Sequence, residues 1–128
     1  MTQQTPPSFR AAFERTRRLS NYVRRVAAAR PEIPEDLERR GAAAIGRDEM
    51  RAALAPGDEL GSRLRRLRDR VMVTLAHRDL NGLAPLDEVF ETMTALADES
   101  VRAAAAEAQR RADAVHGPPA GDELIVAA

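Results

Sequence analysis

Five arginines fall within one short stretch of this sequence: Arg63, Arg65, Arg66, Arg68 and Arg70. Guanidinium groups at that density suit recognition of phosphates or carboxylates, which their planar forks grip in pairs. Arg65, Arg66, Arg68 and Arg70 are therefore the candidate contacts to a phosphate or to an acidic patch on a partner. The competing reading is a helix face that is solvated or paired within the chain. Other chemistry is scarce. Cysteine is absent, and every one of the 20 basic side chains is arginine, a usage that a GC-rich genome also produces. A thiolate, a lysine nucleophile, a Schiff base and a P-loop lysine are thereby excluded. The acids Asp87-Glu88, Asp98-Glu99 and Asp122-Glu123 come as adjacent residues, which on a helix point about 100° apart and cannot share one ion. His77 and His116 are too far apart for a local metal motif. His77, on a helix that reads as buried, fits a packed or hydrogen-bonded role, and His116 a cation at a helix C-terminus. Arg78-Asp79 reads as a local ion pair or cap. No residue is assigned a catalytic, cofactor-binding or metal-binding role.

The formal net charge is zero, but the charges are sorted. Residues 1–30 carry seven arginines against Glu14 alone, whereas acids dominate from Pro85 onward. A basic helix docked on an acidic one accounts for this, and so does a basic helix in solvent. The aromatics Phe9, Phe13, Tyr22 and Phe90 are few for base stacking, and zero net charge offers no general pull toward a phosphate backbone, so nucleic acid is a poor fit as a partner. No apolar run approaches the roughly 20 residues of a membrane span, and no signal-peptide pattern opens the chain. A cytoplasmic location is the default expectation.

The element that must carry the arginines is residues 58–81, which no proline interrupts and which predicts one helix about 36 Å long. Leu60, Leu64, Leu67, Val71 and Leu75 draw one apolar stripe, and Val73, Ala76 and Leu80 fall opposite. Its second half is thus apolar nearly all round, as in a helix clasped by others. Asp58 is the expected N-cap, and Asn81-Gly82 the left-handed stop. Residues 1–7 read as a disordered lead. Helices are expected from Ser8, again from Ser20 to Arg30, from Glu35 to Arg40, and from Arg47 to Leu54, bounded by Gly and Pro signals. A long helix follows Pro85, with Leu86, Val89, Phe90, Met93, Leu96, Ala97, Val101, Ala104, Ala105 and Ala108 as its apolar face, and Gly117-Pro118-Pro119 stops it. The two long helices should form an antiparallel hairpin. The expected fold is all-α, with one exception: Leu124-Ile-Val reads as the opening of a β-strand that ends without a partner. Since a lone strand leaves its backbone groups unsatisfied, the chain is expected to be a piece of a longer one.

Leu64-Arg-Arg-Leu-Arg-Asp-Arg-Val-Met-Val-Thr-Leu-Ala-His-Arg-Asp-Leu80 resembles the arginine-rich helix of the bifunctional glutamine synthetase adenylyltransferase/adenylyl-removing enzymes, which commonly reads L-R-R-F-R-R-R-E-M-x-R-I-A-x-R-D-L. Leu86-Asp-Glu-Val and Leu96-Ala-Asp98 are similar to the helix that follows it there, and Ser20-Asn-Tyr-Val23 to a segment near that family's N-terminus. Leu124-Ile-Val-Ala-Ala128 resembles the strand that leads into a glycine-rich turn. Leu67, Val71 and His77 depart from the phenylalanine, glutamate and tryptophan frequent at their positions, which alters packing more than chemistry.

The resemblance implies that residues 8–117 are the helical N-terminal region of the adenylyl-removing half. Residues 118–128 would then be a linker and the first strand of a nucleotidyltransferase-fold domain. It implies an activity for the parent protein: nucleotidyl transfer to, and phosphorolysis from, a tyrosine of glutamine synthetase, with Mg²⁺ and ATP, in control of nitrogen assimilation. Glutamine synthetase and the PII signalling protein are the implied partners. The family's carboxylate pair is missing here, so the chain alone is expected to bind no cofactor and to be inactive. The alternative is a free-standing helical interaction module. Apolar surface left bare on the central helix would favour the enzyme piece; full coverage of that helix would favour the module.

Overall fold

The computed structural model describes residues 8–117, and every regular element among them is an α-helix. The lead expected over 1–7, and the linker and strand expected over 118–128, lie outside the described residues. Serines set the first two helices. Ser8 Oγ accepts the Ala11 N–H at 3.2 Å and opens α1 (Phe9–Leu19). Ser20 closes that helix by donating its own N–H to the Thr16 carbonyl at 3.0 Å, and opens α2 (Asn21–Ala29) by accepting the Val23 N–H at 3.2 Å. One side chain thus satisfies donors that a new helix leaves orphaned.

The third helix, α3 (Glu32–Arg39), begins three residues before the expected Glu35. Pro34 sits inside its first turn, where no intrahelical acceptor awaits an N–H, so proline costs nothing there. Gly41 (φ +63°) ends it in a Schellman motif: Ala42 N–H donates to Leu37 O at 2.9 Å and Gly41 N–H to Glu38 O at 3.0 Å. Ala42 is also left-handed (φ +58°), which costs an alanine about 1–2 kcal/mol. Its methyl group is buried, and its carbonyl accepts Arg78 Nη1 at 2.9 Å.

The remaining helices are α4 (Arg47–Ala53), α5 (Leu60–Leu80) and α6 (Leu86–His116). The start of α5 departs from expectation, because Asp58 does not cap it. Glu59 holds the N-cap position without a side-chain bond, while the Asp58 carboxylate takes Arg66 Nη2 at 2.9 Å. The other end follows the pattern: Gly82 (φ +68°) is left-handed, and Leu83 N–H donates to Arg78 O at 2.6 Å. The loop turns α6 back antiparallel to α5, so that Glu88 meets Arg78 near the turn, while Ala103 and Leu64 pack against the same apolar cluster further along.

Two apolar clusters flank α5. Val73 and Ala76 join Phe13, Val23, Val26, Ile33 and Leu37 from the first three helices. On the other side Leu64, Leu67 and Val71 join Met50, Leu54, Ala95 and Leu96. The two stripes of α5 therefore each find a partner layer: Leu67, Val71, Val73 and Leu75 are buried by the chain's own helices, and Leu60, Leu64, Ala76 and Leu80 are half-buried. Bare apolar surface is found instead on α6. Leu96 is buried, but Leu86, Phe90, Met93, Ala97, Val101, Ala104 and Ala108 of the expected core face are exposed. The helix is rolled so that Ala95, Leu96 and Glu99 face inward, where Ala95 and Leu96 join the apolar cluster and Glu88 and Glu99 are each held by arginines of the body.

Candidate functional site

Helical geometry divides the four candidate arginines between two faces, since residues three or four apart are neighbours and adjacent ones are not. Arg65 and Arg68 share one face and are exposed; Arg65 Nη2 reaches only Ser62 Oγ, at 3.3 Å. Arg66 is exposed and bound to the exposed Asp58. Arg70 is occupied within the fold: Nε lies 3.1 Å from Asp36 Oδ2 and Nη2 3.2 Å from Glu49 Oε2. Arg40 approaches the same two acids, at 3.7 and 3.6 Å. Arg70 thus ties α5 to α3 and α4. The candidates do not converge on one point.

Beside Arg68 stands Tyr22. Its hydroxyl donates to Asp69 Oδ1 at 2.7 Å, and Arg30 Nε lies 3.0 Å from Asp69 Oδ2. Burial first, then the Asp69 carboxylate, pushes the Tyr22 phenol up to about 12, so it remains a neutral donor. Arg25 lies over the Tyr22 ring at 5.9 Å, within cation–π range. The Arg68 charge acts on Tyr22 from the α5 side. Arg68 on α5 and Arg25 on α2 therefore border Tyr22, with Arg65 one turn along α5 from Arg68, an arrangement able to take carboxylates or phosphates.

Other polar groups are organised that sequence reasoning missed. Arg63, counted with the exposed run, is buried, and it donates to the carbonyls of Leu54 (2.6 Å), Ala55 (2.9 Å) and Asp58 (2.7 Å). It is the C-terminal cap of α4, and its i−5 to i−9 reach carried no signal in the pattern. Arg78 pairs with Glu88 in a bidentate fork (3.0 and 2.8 Å), not with its neighbour Asp79 as expected. Glu99, only 2 % exposed, accepts Arg51 Nε at 2.8 Å and lies 3.3 Å from Arg47 Nη1. These arginines, Arg51 foremost, hold its carboxyl down at about 2. His77 has the packed, hydrogen-bonded place expected of it, beside Thr16 and Asn81. Among the described residues no group of three or more His, Asp or Glu side chains is placed to hold a metal ion, and no helix is long and apolar enough to cross a membrane.

The described residues thus form an all-α scaffold that presents arginines on its surface. Comparison with known proteins specifies its kind. A family model described as glutamate-ammonia ligase adenylyltransferase matches residues 11–126. The chain belongs to that family. It is 40 % identical over 122 residues to the bifunctional glutamine synthetase adenylyltransferase/adenylyl-removing enzyme of Ralstonia nicotianae, covering 84 % of this chain and 13 % of that protein. Enzymes of the same description from Chromobacterium violaceum (39 % over 106 residues; 79 % of this chain, 12 % of that protein) and Nitrosomonas europaea (41 % over 90 residues; 65 % and 10 %) are similar. The chain thus spans about an eighth of the length of these relatives. No solved structure matches it.

Proposed function

We propose that residues 8–117 are the N-terminal helical region of an enzyme that adenylylates and deadenylylates a tyrosine of glutamine synthetase, and that this region supports and docks rather than reacts. The observation that carries this reading is the family match, continuous over residues 11–126, to relatives described by both activities. The donor set here does not fit a catalytic Mg²⁺ and ATP, because the acids of α6 are separated by helix geometry or, like Glu99, already saturated by arginine. Mg²⁺ and ATP then belong to other segments of the parent, and the chain alone is inactive. Arg65 and Arg68, with Arg25 beside them, are the contacts to an acidic surface of glutamine synthetase. Arg66 contributes weakly through its exchangeable pair with Asp58, and Arg70 serves the fold. The PII protein, implied by resemblance, is a second partner of the parent.

The test combines two assays on the purified chain. It should give neither AMP transfer to glutamine synthetase nor phosphorolysis of the adenylylated form. It should bind glutamine synthetase, with Arg65→Glu/Arg68→Glu weakening that binding roughly tenfold or more as two attractive charges become repulsive. Turnover by the chain, or binding unmoved by the double substitution, overturns the respective half of the reading.

A second reading, a free-standing helical interaction module, is favoured by the coverage of α5 within the chain. It predicts the same docking without need of any catalytic segment.

A further inference from the structure

Asn81 and Gly82, the stop of α5, are also the residue pair in this chain most open to a covalent change. The Gly82 nitrogen can attack Cγ of Asn81, because glycine has no side chain to hinder the approach. The N–Cγ bond forms, the Cγ–Nδ2 bond breaks, and Nδ2 leaves as ammonia with the proton shed by the Gly82 nitrogen. Water then opens the cyclic imide at either carbonyl. Entry at Cγ leaves aspartate at position 81. Entry at the main-chain carbonyl leaves an isoaspartyl link, with the chain running through the side-chain carbons. Asn21, the other asparagine of the chain, precedes Tyr22, whose side chain hinders the same attack.

The fold holds this reaction off in two places. The Asn81 ψ of 14° sets the Gly82 nitrogen beside the residue's own nitrogen and away from Cβ, and the Gly82 N–H donates to Asp79 O at 3.1 Å. Ring closure requires that bond to break and ψ to rotate. The side chain is held as well. Both hydrogens of Nδ2 are used, one on Thr16 Oγ1 and one on His77 O, each at 2.9 Å. Thr16 belongs to α1, so this second hold lasts only while α1 stays docked on α5. Phe9 and Phe13 of α1 lie against the His77 ring in the same seam.

We propose that Asn81 is a deamidation site which the docking of α1 keeps closed, and whose conversion weakens that docking. The second half follows from hydrogen-bond chemistry. An ionised carboxylate has no hydrogen to give, so Thr16 Oγ1 and His77 O both lose their side-chain donor and face a negative oxygen instead. Acceptors left so in a largely buried seam disfavour its closure. The isoaspartyl link in addition lengthens the main chain by one carbon at the turn between α5 and α6. Detachment of α1 is thereby converted into a covalent change that does not reverse.

The whole chain, incubated in mildly alkaline buffer with and without urea, is digested with trypsin and the peptide Asp79–Arg102 is weighed. Asn81 is its only side-chain amide, so a mass gain there reports this site, with the peptide Leu19–Arg24, which holds Asn21, as the slow control. The folded chain should deamidate roughly tenfold or more slowly than the unfolded one, since only locally opened molecules react. Thr16→Val keeps the shape and removes the acceptor, and it should speed the folded chain's reaction with helix content unchanged by circular dichroism. Phe9→Ala, at the edge of the seam, loosens α1 without touching the amide and should act in the same direction if Thr16→Val does not fold. Asn81→Asp should speed amide exchange at Phe13 and Thr16 while leaving Leu96, in the other apolar cluster, unmoved. Equal rates with and without urea overturn the proposal. A rate indifferent to loosening of α1 assigns the protection to the backbone turn alone and overturns the role of α1. Unchanged exchange in α1 of Asn81→Asp overturns the weakened docking.

Discussion

Thr16 Oγ1 lies 2.9 Å from His77 Nδ1, side chain to side chain, in the seam between α1 and α5. The rings of Phe9 and Phe13 stack on each other and tilt against the imidazole, with centroids 5.4 and 5.7 Å away. Asn81 Nδ2 reaches the same Thr16 oxygen at 2.9 Å, and Thr16 also bonds the Ala12 carbonyl at 3.1 Å. The contact is one polar stitch within an apolar wall. Burial, and then the Arg78 charge, hold the His77 pKa below the ordinary imidazole value.

Stability should therefore fall as the medium is acidified from pH 7 toward 5. The unfolded imidazole takes up its proton below about pH 6.5, before the native one does, so the folded form loses ground as pH falls. Thermal melts at half-unit steps check this: His77→Gln should melt lower at pH 7 but lose most of the slope. An unchanged slope in the variant would assign the acid sensitivity elsewhere.

Glu99 gives the opposite end of the scale. Its native carboxyl is held at about 2 by Arg51, Arg47 and Arg102 against an ordinary value of 4.5. The stability it contributes is complete above that ordinary value and is lost as pH falls through about 2. Glu99→Gln should lower the melting temperature at neutral pH and flatten the acid limb between these values. It should also loosen α6 from α4, read as faster amide exchange at Ala95 and Leu96.

Arg63 predicts a purely structural cost. Arg63→Leu leaves the Leu54, Ala55 and Asp58 carbonyls without their donor, and unfolding by urea should show a loss on the order of 3 kcal/mol. Arg63→Lys should recover only part, since an ammonium cannot span three carbonyls with a planar fork. Arg65→Ala, exposed on the neighbouring face, should leave stability within about 0.5 kcal/mol of the parent chain.

The α5 helix was legible because its two apolar stripes repeat at 3.6 residues and each meets a layer, with Val73 on one side and Leu67 on the other. Ser8, Ser20, Gly41 and Gly82 announced helix ends by local chemistry, and the structure uses all four. What the pattern could not show was long-range pairing. Arg63, Arg66 and Arg70 look alike in sequence, yet one caps α4, one binds a loop acid and one ties three helices. The roll of α6 was misjudged for the same reason: its strongest apolar rhythm lies on the face opposite Glu99 and Glu88, which Arg51 and Arg78 grip from the body. The resemblance in the Leu64–Leu80 motif reached the family, which the comparisons establish.

The most direct measurement is a segment exchange. Residues 11–126 of this chain would replace the matched segment in the Ralstonia nicotianae relative, and the hybrid would be assayed for AMP transfer to glutamine synthetase and for phosphorolytic removal. The proposed role predicts that both activities persist, and that Arg65→Glu/Arg68→Glu in the hybrid weakens its use of glutamine synthetase while its fold is retained. A folded hybrid without activity, or one indifferent to the double substitution, would contradict it.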